Sequence, residues 1–457
     1  MIVRDKAIVL DRDSINDCVK QFDLDADRLS ELRDYYVGLS AITERVRTTG
    51  LPNNRLMHGY PQYIATMTSG YLIGDPVLYS SDDEAALQAI QDAYNAADVG
   101  SIDSEIALNQ AIYGRGCELV YADSQARPRT TAVDPQNAFV VYADDAEGLP
   151  LFGVHRLKAV ESKGAVNTKR YTVYTKTEVI EFGVADGYLG TEEKRNSHNF
   201  PYVPLVEYWN NSMQTGDYEN VISLIDAYDI LQSDRVNDKE QFANSILVLT
   251  GVIGLTPAAE GDTRTAAQRL RQEGAIAFND EKADAKYLVK TLDEADTEIL
   301  KDAIKSDIHK FSHVPDMTDQ EFAGNSSGVA MKYKLLGLEQ LTKIKERWFR
   351  EGLRWRLRLF SAFLGLKGKP VLDPDEVQMM FRRSLPVNDL ETAQMVQMLS
   401  GLVPAKTLLS QVAFVEDVNQ AFDELQEEKQ ANIAAQAAAF GAFPNANEDN
   451  SNEDVLS

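Results

Sequence analysis

Four carboxylates on one stretch carry the densest potential for chemistry. Asp226, Asp229, Asp234 and Asp238 fall between Asp217 and Leu247, which contains neither Gly nor Pro. Helical spacing brings several of them near one face, with Lys239 beside them. Such a face can hold a divalent ion or lie solvated or against another subunit, and the second reading is favoured. His309 and His313 stand four apart, the spacing of a two-histidine zinc site, but no third ligand lies on their helix, so polar helix packing is expected. The chain has no G-x-x-x-x-G-K-[ST], no G-x-G-x-x-G after a strand, no H-E-x-x-H and no C-x-x-C. No catalytic residue, metal or cofactor is assigned from these patterns. Lys332, Lys334, Lys343, Lys345, Arg347, Arg350, Arg354, Arg356 and Arg358 form the one dense basic stretch, opposite a stripe of Leu338, Leu341, Ile344, Trp348, Trp355 and Leu359. Phosphate contact and pairing with acidic surface both fit; in an acidic chain the second is favoured. The Trp348/Trp355 pair is expected to be core packing.

The acidic stretch belongs to a helix–insert–helix plan. Asp217 is a good N-cap for a helix running to Leu247. A return helix from Asp293 to Val314, stopped by Pro315, shows Leu300, Ile304, Ile308 and Phe311 on one stripe. Between them, 248–292 reads as a small fold: a strand at Val248–Ile253, a helix at Thr263–Glu273, and a hairpin of Ala275–Phe278 with Lys286–Val289. A helix polar nearly all round, as Gln232–Gln241 is, bridges domains or packs through polar contacts.

The rest divides by period. Ser14–Phe22, Asp27–Leu39, Arg55–Leu72, Asp82–Ala97 and Ile102–Tyr113 read as helices, the first two peripheral. From Glu118 to Tyr208 the period is two, with strands at Leu119–Tyr121, Ala138–Tyr142, Phe152–His155, Tyr171–Tyr174, Val179–Phe182 and Pro204–Tyr208. Short strands with turns between them predict an antiparallel sheet, and the flanking helices make the class α+β. After a polar loop, Asp316–Ser327, a long helix runs to Gly365. Val377–Arg382 is a strand. Asp389–Leu399, Pro404–Gln411 and Val415–Lys429 are helices, the last extendable through Ala431–Phe440. The Asn/Glu/Asp-rich 441–457 is expected to be disordered.

At 457 residues there is room for two to four domains. No run of 18 apolar residues predicts a membrane span. Cys18 and Cys117 make a disulfide framework improbable. A net charge of −25 argues against tight sequence-reading contact with nucleic acid, though not against DNA passing close by.

Several stretches, in order, resemble the portal proteins of tailed bacteriophages. They are Asn53-Asn54-Arg55-Leu56 through Gly74-Asp75-Pro76-Val77, Asn199–Asn211, and Gly216-Asp217-Tyr218-Glu219 through Ser233-Asp234. The match covers most of the chain. It implies a homo-oligomeric ring, usually of about twelve subunits, at one capsid vertex of the virion, assembled in the host cytoplasm. Double-stranded DNA would pass through without sequence recognition. Partners would be the terminase large subunit, the head–tail adaptor, and the major capsid and scaffolding proteins; no membrane is involved. It assigns 1–216 and 328–388 to a wing, 217–247 and 293–315 to a stem, 248–292 to a clip, 316–327 to a tunnel loop and 389–440 to a crown. The tunnel loop carries Asp319 and Glu321 and no Lys, Lys332 being the first cation beyond it. It would touch DNA through Phe322, Gln320 and Asn325 more than by charge. Arg264, Arg269, Arg271, Asp280 and Lys282 would offer the clip's partner contacts. Two rival functions remain: a protein-binding adaptor or scaffold without a channel, and a metal-dependent nuclease using the rod carboxylates.

Overall fold

The computed structural model describes residues 1–48, 51–157, 170–243, 246–250, 284–288, 294–317, 332–383, 389–409, 412, 415 and 418–441. They fall into two units. The first holds the described residues up to 317 and from 333 to 383; the second holds Lys332 and 389–441. Helix and sheet are mixed, as the α+β reading requires.

The first unit opens with β1 (Ile2–Arg4), α1 (Arg12–Asp23) and α2 (Ala26–Tyr36). Asp11 caps α1, its carboxylate accepting from the Ser14 N–H at 2.8 Å. These helices were expected at the periphery. They instead bury Ile15, Cys18, Val19, Phe22, Leu29 and Leu32, with Phe22 stacked on Phe139 at 4.6 Å. The charge visible in their sequence occupies only the outer face. Then come α3 (Tyr60–Leu72), β2 (Leu78–Ser80), α4 (Glu84–Ala97) and α5 (Val99–Tyr113). Residues 51–59 are not helical, so the helix expected from Arg55 starts at Tyr60.

The strands are β3 (Arg115–Ala122), β4 (Pro128–Val133), β5 (Ala138–Ala143), β6 (Pro150–Leu157), β7 (Arg170–Tyr174), β8 (Glu178–Ala185), β9 (Tyr188–Ser197) and β10 (Leu205–Trp209). They form two sheets, ordered β1-β5-β6-β7-β8-β9 and β10-β3-β4. Pairing is antiparallel except that β1 runs parallel to β5, with Val3 opposite Tyr142. The expected single antiparallel sheet is therefore two, one with a parallel edge.

Four further elements follow: α6 (Ile222–Ala243), β11 (Ile246–Thr250), β12 (Asp284–Leu288) and α7 (Glu294–Ser312). The chain re-enters as α8 (Leu336–Leu366), and β13 (Gln378–Met380) pairs with β2. In α8 the inward face is Leu338, Thr342, Lys345, Phe349, Leu353, Arg356 and Phe360, recurring every three or four residues. It packs on Ile90, Tyr94, Ile106 and Tyr208. A Cβ on Gly352 would come within 2.4 Å of the Tyr208 ring, so only glycine allows strand and helix this close.

Two cations assigned to the outer basic face thus lie in the core. The Arg356 guanidinium is fully buried; its Nη2 meets Asp103 at 2.6 Å and its Nε meets Glu118 at 2.7 Å. Glu118 also accepts from the Tyr208 and Thr130 hydroxyls. Lys345 pairs with Asp217 where both are buried, and Asp217 also accepts from Thr68 and from Asn210 at 2.8 Å. Asp217 is therefore an anchor in the core, not the N-cap the sequence suggested. Of the expected apolar stripe, Leu338 and Leu359 are buried while Ile344 is 47% exposed. Four of the others pair on the surface: Lys343 with Glu339, Arg350 with Glu346, Arg354 with Glu351 and Arg358 with Asp375.

Burial pushes the Asp103 carboxyl up from its ordinary 3.8 to about 6, against the pull of Arg356. The folded chain then keeps this proton to higher pH than the unfolded chain. Its contribution to stability is complete below pH 3.8 and lost as pH rises through about 6. Asp103→Asn removes that dependence. Urea unfolding from pH 4 to 7 should show the variant gaining on the parent as pH rises; a constant difference would contradict the assignment.

The second unit contains α9 (Asp389–Leu399), α10 (Ala405–Leu409) and α11 (Val418–Gly441), close to the three helices expected. Cys18 and Cys117 are buried and unpaired. Among the described residues, no helix is long and apolar enough to cross a membrane.

Candidate functional site

The two antiparallel rods, α6 and α7, carry the features that set this chain apart. A short 3-10 turn, Glu219–Val221, leads into α6; Val221 of the turn and Ile225 and Tyr228 of the helix are buried. Its other face is polar at Asp226, Asp229, Ser233, Asn237 and Glu240, one row at three- to four-residue spacing. That row is occupied by the N-terminal segment of the same chain. Tyr35 donates to Asp226 at 2.8 Å. Ser40 donates to Asp229 at 3.1 Å, and His58 reaches it through its backbone N–H at 3.0 Å and through Nδ1 at 2.7 Å. The Leu56 N–H donates to Ser233 at 2.9 Å and the Asn54 N–H to Asn237 at 2.6 Å. Arg45 lies 3.0 Å from Asp234, and Arg47 pairs with it as well.

This corrects the reading of a solvated or inter-subunit acidic face. Asp229 is fully buried. With Ser233 and Asn237 it takes the backbone donors of the extended stretch 54–58, which would otherwise lack partners. Asp226 and Asp234 hold the side chains of Tyr35, Arg45 and Arg47. Burial raises the Asp226 carboxyl against the hydrogen bond from Tyr35. Asp238 is half-buried. Among the described residues, no group of three His, Cys, Asp or Glu side chains is arranged to hold a metal. His309 and His313 do not share a face. α7 ends at Ser312, His313 turns left-handed at φ 60°, and His309 Nδ1 lies 2.9 Å from the Val314 carbonyl.

The rods are fastened to each other at both ends. Near the insert, Arg235 reaches Glu294 at 3.2 Å and Glu298 at 3.0 Å, and Lys239 reaches Glu294 at 3.0 Å. At the other end Asn220 donates to the Phe311 carbonyl at 2.9 Å, and Tyr60 sits edge-on to both Tyr228 and His309. Of the stripe expected on the return rod, only Ile308 is buried. Leu300 is 51% and Phe311 48% exposed, as is Ile299 at 68%; on α6, Ile230 and Val236 are exposed too. A lone chain leaves these apolar side chains in water, with Leu300 and Phe311 on one face of α7.

α6 ends at Ala243, so Leu247 belongs to strand and not to helix. β11 and β12 pair antiparallel, Thr250 opposite Asp284 and Ile246 opposite Leu288. Lys286–Leu288 thus pairs with β11; Ala275–Phe278, the partner expected for it, lies outside the described residues. Arg264, Arg269, Arg271, Asp280 and Lys282 lie outside the described residues, as do Asp319, Gln320, Glu321, Phe322 and Asn325. Lys332 is described, exposed, in the helical turn at 332–334.

Arg354 and Arg358 take part in a groove that the sequence did not reveal. Trp348 and Trp355 are half-buried, not core, and Trp209 lies 5.1 Å from Trp348. The helical spacing of Trp348 and Trp355 was visible; the approach of Trp209 from β10 was not.

Residues 15–435 match the family of phage portal proteins described as SPP1 Gp6-like. The portal protein of Bacillus phage SPP1 is 25% identical over 397 residues, covering 82% of this chain and 76% of its own length. The portal protein of Clostridium phage phiCD119 is 25% identical over 415 residues, covering 86% and 88%. Among solved structures, a chain from the neck of an empty GTA particle computed with C6 symmetry aligns at 12% identity and a TM-score of 0.48. That alignment covers 85% of this chain and 93% of the other.

Proposed function

Because the chain belongs to the SPP1 Gp6-like family of phage portal proteins, we propose that about twelve copies close into a ring at one capsid vertex. Its channel would pass DNA inward during packaging and outward during ejection. Portal proteins are structural components of the virion, not catalysts, so the motor is a partner. The observation that carries the ring is the set of large apolar side chains left uncovered on the rods, Ile230, Val236, Ile299, Leu300 and Phe311. Heterologous packing of one rod pair on the next would cover it in every copy.

On this reading 1–216 and 328–388 form the wing, 217–247 and 293–315 the stem, 248–292 the clip, 316–327 the tunnel loop and 389–440 the crown. The clip, through Arg264, Arg269, Arg271, Asp280 and Lys282, meets the terminase large subunit and later the head–tail adaptor. Capsid and scaffolding proteins meet the outside of the ring. The electrostatics agree: copies at −25 each give a ring of twelve about −300, a sleeve that repels phosphates and does not hold them. Asp226, Asp229 and Asp234 contribute to it less than expected, because their charge is spent inside the chain.

Native mass of the purified protein, with particle images of the same sample, tests the reading. Rings of about twelve copies with a central hole are expected. A monomer or dimer across a range of concentration and salt would move the assignment to an adaptor without a channel. Deleting 319–325 is expected to leave those rings intact and to impair DNA packaging or retention. Normal packaging by that deletion would remove the tunnel-loop assignment.

A further inference from the structure

The three tryptophans of the chain, Trp209, Trp348 and Trp355, all line one groove of about 500 Å³ in the first unit. Its floor is set between β10 and α8. Glu207 fixes the aromatic wall, accepting from Trp209 Nε1 at 3.1 Å and from the Tyr142 hydroxyl at 3.2 Å. Trp355 Nε1 donates to the Val203 carbonyl at 3.0 Å. The rings are therefore held in place while their faces stay half-open. Rigid, half-exposed tryptophan is the side chain that most often anchors a protein–protein contact.

Charge states what the groove accepts. The cations at its lining are Arg354, whose Nη1 lies 2.9 Å from Glu351, Arg358, 3.4 Å from Asp375, and the Met1 amino group, which donates to Gln214 at 3.2 Å; Glu207 lines it as well. The turn between β5 and β6 adds Asp144, Asp145 and Glu147 to the lining. Lys6 approaches Asp145 at 3.4 Å and Glu147 at 3.5 Å but is itself 62% exposed, so water screens both pairs. The lip is thus negative over an aromatic floor. Phosphate is repelled there. We propose that the groove docks a short segment of another protein, one large apolar side chain flanked by Lys or Arg. The apolar group would enter among the tryptophans. The cations would meet Asp144 and Glu147, or lie over a ring face. The proposal does not depend on the ring, since the whole lining belongs to one chain.

With every tryptophan in the groove, intrinsic fluorescence reads it directly. The probes are the synthetic peptides Lys-Lys-Phe-Leu-Lys-Lys and Glu-Glu-Phe-Leu-Glu-Glu, titrated into full-length protein whose assembly state is followed by particle images. The basic peptide is expected to change the emission saturably, with a dissociation constant below about 100 µM. The acidic peptide should bind at least about tenfold more weakly. Trp355→Ala should lose about tenfold or more. The D144N/E147Q double variant, changed only on an exposed turn, should weaken the basic peptide and flatten its salt dependence. The proposal is overturned by no saturable change, by an equal response to the acidic peptide, or by full affinity in both variants. It is also overturned if Trp355→Ala disperses the assembly while D144N/E147Q binds as the parent does, because the groove would then belong to a second copy.

Discussion

Arg356→Met should cost about 3–5 kcal/mol of stability and lower the thermal midpoint by roughly 10 °C. Methionine nearly fills the space, so the loss is electrostatic. With the guanidinium gone, Asp103 and Glu118 face each other without a cation in a site that water does not reach. Removing one partner of a buried network strands the other's charge, and that is the costly event. The loss should shrink on going from pH 8 to pH 5, because burial already raises the Asp103 carboxyl to about 6 and, stranded, it can take up a proton. Arg347→Met is the control: Arg347 is exposed on the same helix, and its loss should stay within about 0.5 kcal/mol. Equal losses at the two positions would mean that Arg356 is solvated. Thermal unfolding followed by circular dichroism at both pH values decides it.

The double change Ile299→Asp/Leu300→Asp should abolish ring assembly while leaving the subunit folded. Both side chains are more than half exposed in the single chain, so the fold loses little. If neighbours cover them, each copy loses about 1.5–3 kcal/mol per buried side chain and gains a carboxylate that must be desolvated. The penalty repeats at every contact around a closed ring. Native mass should then report monomers or short oligomers, with a circular dichroism spectrum like the parent's. Full rings from this variant would show that the rods meet their neighbours through another face.

Elements whose pattern is local were legible in the sequence. The period-two strands around Val140, Val173 and Ile180, the return rod ending before Pro315, and the helix Asp389–Leu399 all lie where spacing put them. What escaped depends on partners far away in the chain. β1 joins the sheet through β5, some 140 residues downstream. β9 runs Glu192, Glu193, Lys194, Arg195 with no apolar alternation, since an edge strand's outer half has nothing to bury. Lys345 and Arg356 look like surface cations until Asp217, Asp103 and Glu118 are seen around them. The same blindness affected the rod carboxylates: nothing near Asp229 announces Ser40 and His58, which come from 171 to 189 residues earlier. Charge along a helix shows which residues need partners. It does not show whether solvent, a neighbour or the chain's own N-terminal segment supplies them.

The pairing of Thr250 with Asp284 makes the insert a cassette. Chain leaves and returns through two adjacent strands, about 5 Å apart, so a change in the length of chain between them does not by itself move the rods. Lengthening such a loop costs little, about 0.6 kcal/mol per doubling, and the ion pairs of Arg235 and Lys239 that lock the rods lie below that junction. The segment 251–283 can therefore be exchanged for that of a relative, or rebuilt, without re-registering the helices beneath it. On the proposed reading of 248–292 as the clip, its contacts can then diversify while the scaffold beneath the two strands is inherited unchanged.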